Sequence, residues 1–310
     1  MFKPQDFIEK KILEIKKEVG EGKAVVACSG GVDSTTCAVL AKKAIGNRVL
    51  AVYIDDGFRR LGEPEKVLSL LKKLGVKNKL IKAERIFFDK LKGIKDAEEK
   101  RKVFREIFYD ILNDVVEKEG AEFLIQGTIA ADIKETVKGI KTQHNVLQQA
   151  GVDMKKYKFK IIEPLKELYK NDVRKVAKSL GLPDEIVNKM PFPGPGLLIR
   201  VLGEVTPEKV EIVRKGTEIV ERETRRIKHF QSFVALLSDK ATGILNGKRN
   251  YGYVMVIRIV SSQDAMKAKA MEIPFSLLKR ISSKILREIP QVSRCLYDIT
   301  DKPPATIEFE

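Results

Sequence analysis

In the first half of the chain, short continuous apolar runs alternate with longer stretches whose apolar residues recur at helical spacing. Continuous runs bounded by charged residues or glycines are typical of strands that are buried on both faces. Each helical stretch is followed closely by a glycine, as expected at a helix end. This alternation predicts an α/β fold with a doubly wound parallel sheet, whose ligands bind at the carboxyl ends of the strands. The predicted strands cover residues 24–28, 49–54, 77–82 and 122–126, and the predicted helices cover residues 35–44, 63–74, 97–119 and 171–180.

Residues 191–196, Pro-Phe-Pro-Gly-Pro-Gly, interrupt this pattern. Neither a helix nor a central strand tolerates such a run of prolines, so we expect one domain at residues 1–190 and a second at residues 191–310. The element order of the second domain, β-α-β-β-α-β, predicts a smaller α+β domain whose helices cover one sheet face. We expect a second copy of the chain to cover the other face, which makes the protein a homodimer. The predicted strands cover residues 197–202, 233–237, 253–260 and 295–299, and the predicted helices cover residues 207–230, capped by Thr206, and 275–288.

A polar and weakly periodic segment lies within the first predicted domain, at residues 139–160. Segments of that length without a clear pattern are uncommon in compact domains and are often functional covers. We therefore predict that this segment is a mobile cover over an active site.

The composition of the chain excludes some classes of protein but does not identify a substrate. The chain has 310 residues, 43% of them hydrophobic, which suffices for one large domain or two smaller ones. No apolar run approaches the roughly 18 residues that span a bilayer, and the N-terminus lacks an apolar signal core, so we expect a cytoplasmic protein. Three cysteines are too few for a disulfide framework or a zinc site. The net charge of +16 is compatible with nucleic acid and equally with small polyanionic substrates.

The chemistry of the chain concentrates in the hexapeptide Ser-Gly-Gly-Val-Asp-Ser, residues 29–34, between the first predicted strand and helix. Backbone N–H groups and the positive end of a helix converge at such a turn, which suits an oligophosphate. Gly30 and Gly31 let the backbone approach a ligand closely. In a purely structural alternative, Asp33 or Ser34 would only cap the helix. The hexapeptide lacks the Lys-Ser/Thr pair of the Walker motif.

The order S-G-G-x-D-S resembles the PP-loop of the ATP pyrophosphatases, which release pyrophosphate while an acceptor attacks the α phosphate of ATP. Further segments resemble one PP-loop family, the GMP synthetases, from end to end of the chain. The matching segments are residues 99–102 (EKRK), 126–128 (QGT), 143–145 (QHN), 163–165 (EPL), 192–196 (FPGPG), 200–204 (RVLGE) and 302–308 (KPPATIE).

The resemblance implies a two-step reaction. The 2-oxygen of xanthosine 5′-monophosphate (XMP) attacks the α phosphate of ATP, giving adenylyl-XMP and pyrophosphate, and ammonia then displaces AMP to leave GMP. Such an enzyme must neutralise charge on the leaving pyrophosphate and exclude water from the adenylate. The implied cofactors are ATP and Mg²⁺, with Asp33 as a ligand of the metal.

The resemblance also implies which side chains act. Without it, Arg101 and Arg294 would be read as solvated salt-bridge residues and Gln231 as a polar residue at a helix end. The implied ATP site consists of Ser29, Gly30, Gly31, Val32, Asp33, Ser34 and Thr35. The implied catalytic residues are Asp33, Ser34, Asp132, Glu135, Lys141 and His144. The implied XMP site consists of Arg101, Gln231, Arg294, Lys302, Ile307 and Glu308.

Nitrogen is expected to arrive as ammonia from a separate glutaminase subunit, because only 28 residues precede Ser29 and none of the cysteines sits in a nucleophile-elbow context. We expect no nucleic-acid partner and no membrane partner. Two alternatives stay open at this point. One is a PP-loop enzyme that adenylates a tRNA base, and the other is a nucleotide sensor without activity.

Overall fold

A computed structural model of the chain describes residues 2–130, 132–133, 156–245, 247–263 and 265–310. The chain forms two compact units, and each is assembled from separate segments. The first comprises Met1–Asp56, Gly62–Ala83 and Phe104–Lys189, and the second comprises Gly57–Leu61, Glu84–Val103 and Met190–Glu310. The domain boundary expected after residue 190 stays a prediction. Across the described residues, no helix is long and apolar enough to cross a membrane.

The described part of the first unit contains a five-stranded sheet in which every strand pairing is parallel. The spatial order of its strands is β3-β2-β1-β4-β5. The predicted α/β class is therefore confirmed, and β5 is a strand that the prediction had assigned in part to the cover segment. Residues 139–155 of that segment lie outside the described residues. The strands are β1 (Ala24–Ala27), β2 (Val49–Asp55), β3 (Asn78–Lys82), β4 (Phe123–Ile125) and β5 (Lys160–Ile162).

Helices flank this sheet and explain why its strands are continuous apolar runs. Val25 and Val26 on β1, and Leu124 and Ile125 on β4, are all completely buried although neighbouring residues point to opposite faces. The four helices predicted for this half of the chain begin and end within three residues of the predicted positions. The helices up to residue 190 are α1 (Pro4–Val19), α2 (Val32–Ile45), α3 (Glu63–Lys73), α4 (Glu84–Leu91), α5 (Ala97–Glu119), α6 (Lys170–Ser179) and α7 (Asp184–Val187). Of these, α4 and the start of α5 belong to the second unit.

The second unit contains a largely antiparallel sheet with two long helices, as the predicted α+β class requires. β6 and β7 form a long hairpin, β8 pairs antiparallel with β7, and β9 pairs parallel with β7. The two hairpin strands are longer than predicted. Residues of β6 from Gln231 to Leu245 pair with residues of β7, and this pairing extends both strands beyond the predicted bounds. The elements are α8 (Pro207–Thr224), β6 (Gln231–Leu245), β7 (Lys248–Ser261), β8 (Lys269–Ala270), α9 (Phe275–Glu288) and β9 (Val292–Tyr297).

The predicted strand over residues 197–202 is wrong. Gly196–Arg200 is a 3₁₀ helix, and Val201 makes only an isolated bridge to Leu236. Gly196 has φ +64°, and a Cβ there would lie 2.3 Å from the backbone oxygen of Phe58. Leu197, Leu198 and Ile199 are all buried in this short helix, so these three residues are apolar for a reason other than strand pairing. A short apolar run alone does not distinguish the two structures.

The helix predicted to reach residue 230 ends at Thr224 instead. Its start is as predicted, since the hydroxyl of Thr206 accepts a hydrogen bond from Lys209 N at 3.3 Å. At its end, the Thr224 hydroxyl donates to Val220 O at 2.8 Å and lies 3.0 Å from the Ser232 hydroxyl at the start of β6. The residues between are needed to reverse the chain into that strand.

Candidate functional site

The hexapeptide forms the turn between β1 and α2 in the first unit. Gly31 is the N-cap of α2 and makes no side-chain cap bond, so neither Asp33 nor Ser34 is the capping residue of the structural alternative. The Ser34 hydroxyl instead closes the loop. It accepts from Ser29 N at 3.2 Å, lies 3.2 Å from the Ser29 hydroxyl and donates to Gly31 O at 3.3 Å. The first turn of the helix thus presents its free N–H groups at a loop held by its own hydroxyls.

Two glycines allow this loop to pack closely against its neighbours. Gly30 has φ +73°, and a Cβ there would lie 2.2 Å from a methyl carbon of Val67 on α3. Gly127 follows β4, and a Cβ there would lie 2.9 Å from Ser34 N and 3.0 Å from the carbonyl carbon of Asp33. Real Cβ atoms essentially never come within 3.0 Å of another group in this way, so both positions favour glycine, and Gly30 does so also through its positive φ.

Two lysines that the sequence analysis did not select contact the loop. Lys170, at the start of α6, places Nζ 2.6 Å from Asp33 Oδ2. Lys189 donates from Nζ to Gly30 O at 3.0 Å and lies 2.6 Å from a carboxylate oxygen of Glu63. Both lysines are partly exposed, and they add positive charge to a loop that already offers N–H donors. The result is an anion site whose charge comes from three separate parts of the first unit.

The residues present fit a magnesium ion only together with phosphate oxygens. Asp33 offers a carboxylate beside the loop, whereas the described residues contain no group of three or more His, Cys, Asp or Glu side chains that could hold a metal. Mg²⁺ in proteins is commonly held by one or two carboxylates, waters and the phosphates of a nucleotide. Asp33 supplies the protein part of such a set.

The candidate catalytic residues beyond the loop are only partly described. Asp132 accepts from Ile129 N at 3.0 Å through Oδ2, next to Thr128 at the end of β4. The Thr128 hydroxyl donates to Glu163 at 2.5 Å, and burial raises the pKa of Glu163. Glu135, Lys141 and His144 lie outside the described residues.

In the second unit the structure brings Gln231 and Glu308 together. Gln231 Nε2 donates to Glu308 Oε1 at 3.2 Å and to Pro191 O at 3.1 Å. Ile307 is buried in a small cluster with Phe233, Val260 and Ala268. The tail that carries these residues is therefore folded into its unit.

The other members of the predicted XMP set occupy separate places in the second unit. Lys302 donates from Nζ to Ala265 O at 2.9 Å. Arg101 Nε lies 3.7 Å from Glu98 Oε1, one helical turn away on α5. Arg294 is an exposed residue of β9, and no contact among the described residues joins it to Glu308.

Two buried cations of the second unit also contact this tail, and the sequence analysis did not select them. Arg200 binds Glu308 through Nε and Nη2, both at 2.9 Å. Lys100 pairs with Glu310 and donates to Val201 O at 2.9 Å and to Gly203 O at 3.0 Å. Both residues lie in segments that match the family, and this match could have marked them as candidates. The sequence around each residue does not indicate which side chain it contacts.

Gly127→Ala tests the packing beneath the loop. We expect the added methyl group to push the backbone of residues 33–34 and to raise the KM for ATP by roughly tenfold, because a misplaced phosphate loop loses bonds to a charged ligand. Steady-state kinetics would measure this. Gly120→Ala is the control: it adds backbone strain (φ +60°), which Gly127→Ala does not, but it has no atom within 4 Å of the added carbon and should leave the KM unchanged. An unchanged KM in Gly127→Ala would contradict the geometry described above.

Known families account for both units. The family model described as NAD synthase matches residues 3–194, and the one described as GMP synthase C terminal domain matches residues 218–309. Curated relatives cover nearly the whole chain, and each is named as one of the subunits of a glutamine-hydrolyzing GMP synthase. The chain is similar to the one from Methanopyrus kandleri, at 51% identity over 100% of both chains. The relative from Archaeoglobus fulgidus is 52% identical over 99% of both chains, and that from Pyrococcus horikoshii is 50% identical over 98% of both. With a PP-loop in its first unit and such identity over its full length, this chain belongs to the same family of glutamine-hydrolyzing GMP synthase subunits.

Proposed function

We propose that this chain is the ATP-dependent synthetase of GMP formation. It transfers AMP from ATP to the 2-oxygen of XMP with release of pyrophosphate, and ammonia then displaces AMP. The observation that carries the proposal is the PP-loop geometry in a chain that is about half identical to GMP synthase subunits over its full length. The tRNA-modifying alternative is not favoured, because the matches in both units point to nucleotide synthesis.

The phosphate loop has a defined task in this reaction. The N–H groups at the start of α2 and the hydroxyls of Ser29 and Ser34 bind the β and γ phosphates, which leave together as pyrophosphate. Lys170 and Lys189 lie close enough to the loop to offset the charge that builds up on the leaving group. Mg²⁺, held by Asp33 and the phosphates, would supply further charge neutralisation when it is bound. The same loop residues, with Val32 and Thr35, form the proposed ATP site.

The second unit supplies the proposed XMP site. The Glu308 carboxylate is an acceptor for an N–H group of the purine ring, and Gln231 is fixed beside it. Arg101, Arg294 and Lys302 are basic residues suited to a 5′-phosphate. Asp132, Glu135, Lys141 and His144 remain proposed catalytic residues, and the two-domain division at residue 190 remains a proposal.

Pyrophosphate release under defined conditions tests the proposed function. Purified protein is incubated with ATP, Mg²⁺ and ammonium, with or without XMP, and both pyrophosphate and GMP are measured. We expect release only when XMP is present, and GMP equal to the pyrophosphate released. Release that depends on added tRNA instead of XMP would support the alternative enzyme, and no release under either condition would support a sensor.

The partners remain proposals as well. Relatives are named as one subunit of a glutamine-hydrolyzing enzyme, which supports a separate glutaminase subunit as the source of ammonia. Large apolar side chains in the second unit, Leu296 and Ile299, are 45% and 78% exposed, which supports a homodimer through that unit. Light scattering at micromolar concentration would reject the dimer if it gave the mass of a single chain. The cytoplasmic location stays a prediction from the sequence.

A further inference from the structure

Arg200 is a buried cation that neither the sequence analysis nor the proposed reaction requires. It ends the 3₁₀ helix Gly196–Arg200 and its side chain is 1% exposed. Burial of a guanidinium is costly unless its donors and charge are matched. Here Nε donates to Glu308 Oε2 and Nη2 donates to Glu308 Oε1, each at 2.9 Å, so the two planar groups meet as a fork.

Aromatic rings fix the plane of that fork. The guanidinium carbon lies 3.9 Å from the ring centroid of Phe233 and 5.1 Å from that of Phe192. Both distances are within the range of cation–π attraction. Phe233 is itself completely buried on β6. Arg200 therefore has little rotational freedom. Because it binds both oxygens of Glu308, it also restricts the orientation of that carboxylate.

The contacts of the carboxylate leave a defined acceptor. A carboxylate offers about four lone-pair positions, two on each oxygen. Oε1 accepts from Arg200 Nη2 and from Gln231 Nε2, whereas Oε2 accepts from Arg200 Nε. Among the described contacts, one position on Oε2 remains. Glu308 is 16% exposed as a side chain, so a ligand can reach it, whereas Arg200 is not accessible.

A second contact holds the same tail two residues further on. Lys100, which is completely buried, pairs with Glu310, and Gly203 N donates to Glu310 Oε1 at 3.1 Å. Residues 308 and 310 are thus both held by the short segment 200–203 and the lysine bound to it. Ile307 and Phe309 belong instead to the apolar cluster around Phe233. Alternate tail residues face opposite surroundings, and the tail has one fixed orientation.

We propose that Arg200 is a positioning residue for XMP, which aligns the Glu308 carboxylate so that its remaining acceptor on Oε2 meets a ring N–H of the xanthine base. The proposal rests on the proposed function. Xanthine carries N–H groups on both sides of its 2-oxygen, and a carboxylate that accepts from either of them fixes the position of that oxygen.

Arg200→Lys is the decisive variant, because lysine keeps the positive charge but cannot form the planar fork. We expect the KM for XMP to rise by roughly tenfold or more, while the KM for ATP and the kcat at saturating XMP change by less than about twofold. Calorimetry with XMP alone should show the same loss of affinity. Arg214→Lys is the matched control. That arginine lies in the same unit and donates to Arg59 O at 2.9 Å, with no role in the proposed site.

Glu308→Asp tests the same fork from its other side, since it shortens the carboxylate arm at a partly exposed position, and unchanged XMP affinity in this variant alone would also overturn the proposal. We expect an equal loss of XMP affinity, with no further loss in the double variant. Unchanged XMP affinity in the folded variants, or additive losses, would overturn the role of Arg200. Failure of the unmodified protein to release pyrophosphate with XMP would instead reject the proposed function, so the two failures are distinguishable.

Discussion

Ser34→Ala is expected to abolish XMP-dependent pyrophosphate release, with a loss of at least about a hundredfold in kcat. The Ser34 hydroxyl binds Ser29 N and Gly31 O and lies beside the Ser29 hydroxyl, so its removal opens the phosphate loop at three points. Asp33→Ala should have an effect of similar size, because it removes the partner of Lys170 and the proposed ligand of Mg²⁺. A coupled pyrophosphate assay with saturating XMP would measure both.

Thr36→Ala is the matched control for this prediction. Thr36 is buried in the same helix, and its hydroxyl donates to Val32 O at 2.6 Å, a bond within α2 that leaves the hydroxyl contacts among Ser29, Gly31 and Ser34 intact. The control should therefore show any loss of stability from a missing buried hydroxyl without the loss of rate. Ser34→Ala that still releases pyrophosphate in an XMP-dependent manner would refute the phosphate assignment.

Glutamine alone is expected to yield no GMP from the purified chain, whereas ammonium should yield GMP at a rate that rises with pH. A glutaminase of the expected type needs a cysteine thiolate. Burial raises the pKa of Cys28 and raises that of Cys37 well above its ordinary value, and the half-buried Cys295 also has a raised pKa from burial. All three cysteines of the chain are consequently thiols at neutral pH.

The pH dependence follows from the nucleophile. Ammonium has no lone pair and must lose a proton to attack, so the fraction of NH₃ grows with pH while the total ammonium is constant. GMP formation at subsaturating ammonium should rise accordingly until other groups titrate. Addition of a glutaminase subunit should make glutamine a substrate. GMP production from glutamine by the purified chain alone would contradict this prediction.

The architecture of the first unit could be predicted because each of its buried strands is recognisable from its own residues. A strand buried on both faces is apolar at every position, and the runs at β1, β2 and β4 show this without knowledge of their neighbours. Leu197, Leu198 and Ile199 of the 3₁₀ helix Gly196–Arg200 are also a buried apolar run, but their conformation depends on Leu197 N donating to Phe58 O at 2.8 Å. That partner lies far away in the sequence, and no local pattern reveals it.

The same distinction applies to the site. The phosphate loop is one contiguous hexapeptide, so its residues could be selected together. Lys170 reaches Asp33 across 137 positions, and Lys189 reaches Gly30 across 159. A lysine near a helix start is common on any basic surface. Only the fold brings these two lysines to the loop. The contact between Arg200 and Glu308 could not be predicted for the same reason, since the two residues are 108 positions apart.

The segmented composition of the second unit has a consequence for how the protein is made. Phe58 and Phe87, both completely buried, lie in the two early segments, whereas the sheet and helices of that unit come from residues after 190. A ribosome adds roughly 5–20 residues per second, so about 200 residues take on the order of ten to forty seconds to follow the second early segment. Throughout that interval these aromatic side chains emerge without the rest of their unit. Burial of Phe58 and Phe87 in the second unit consequently waits until the segment that starts at Met190 has been made.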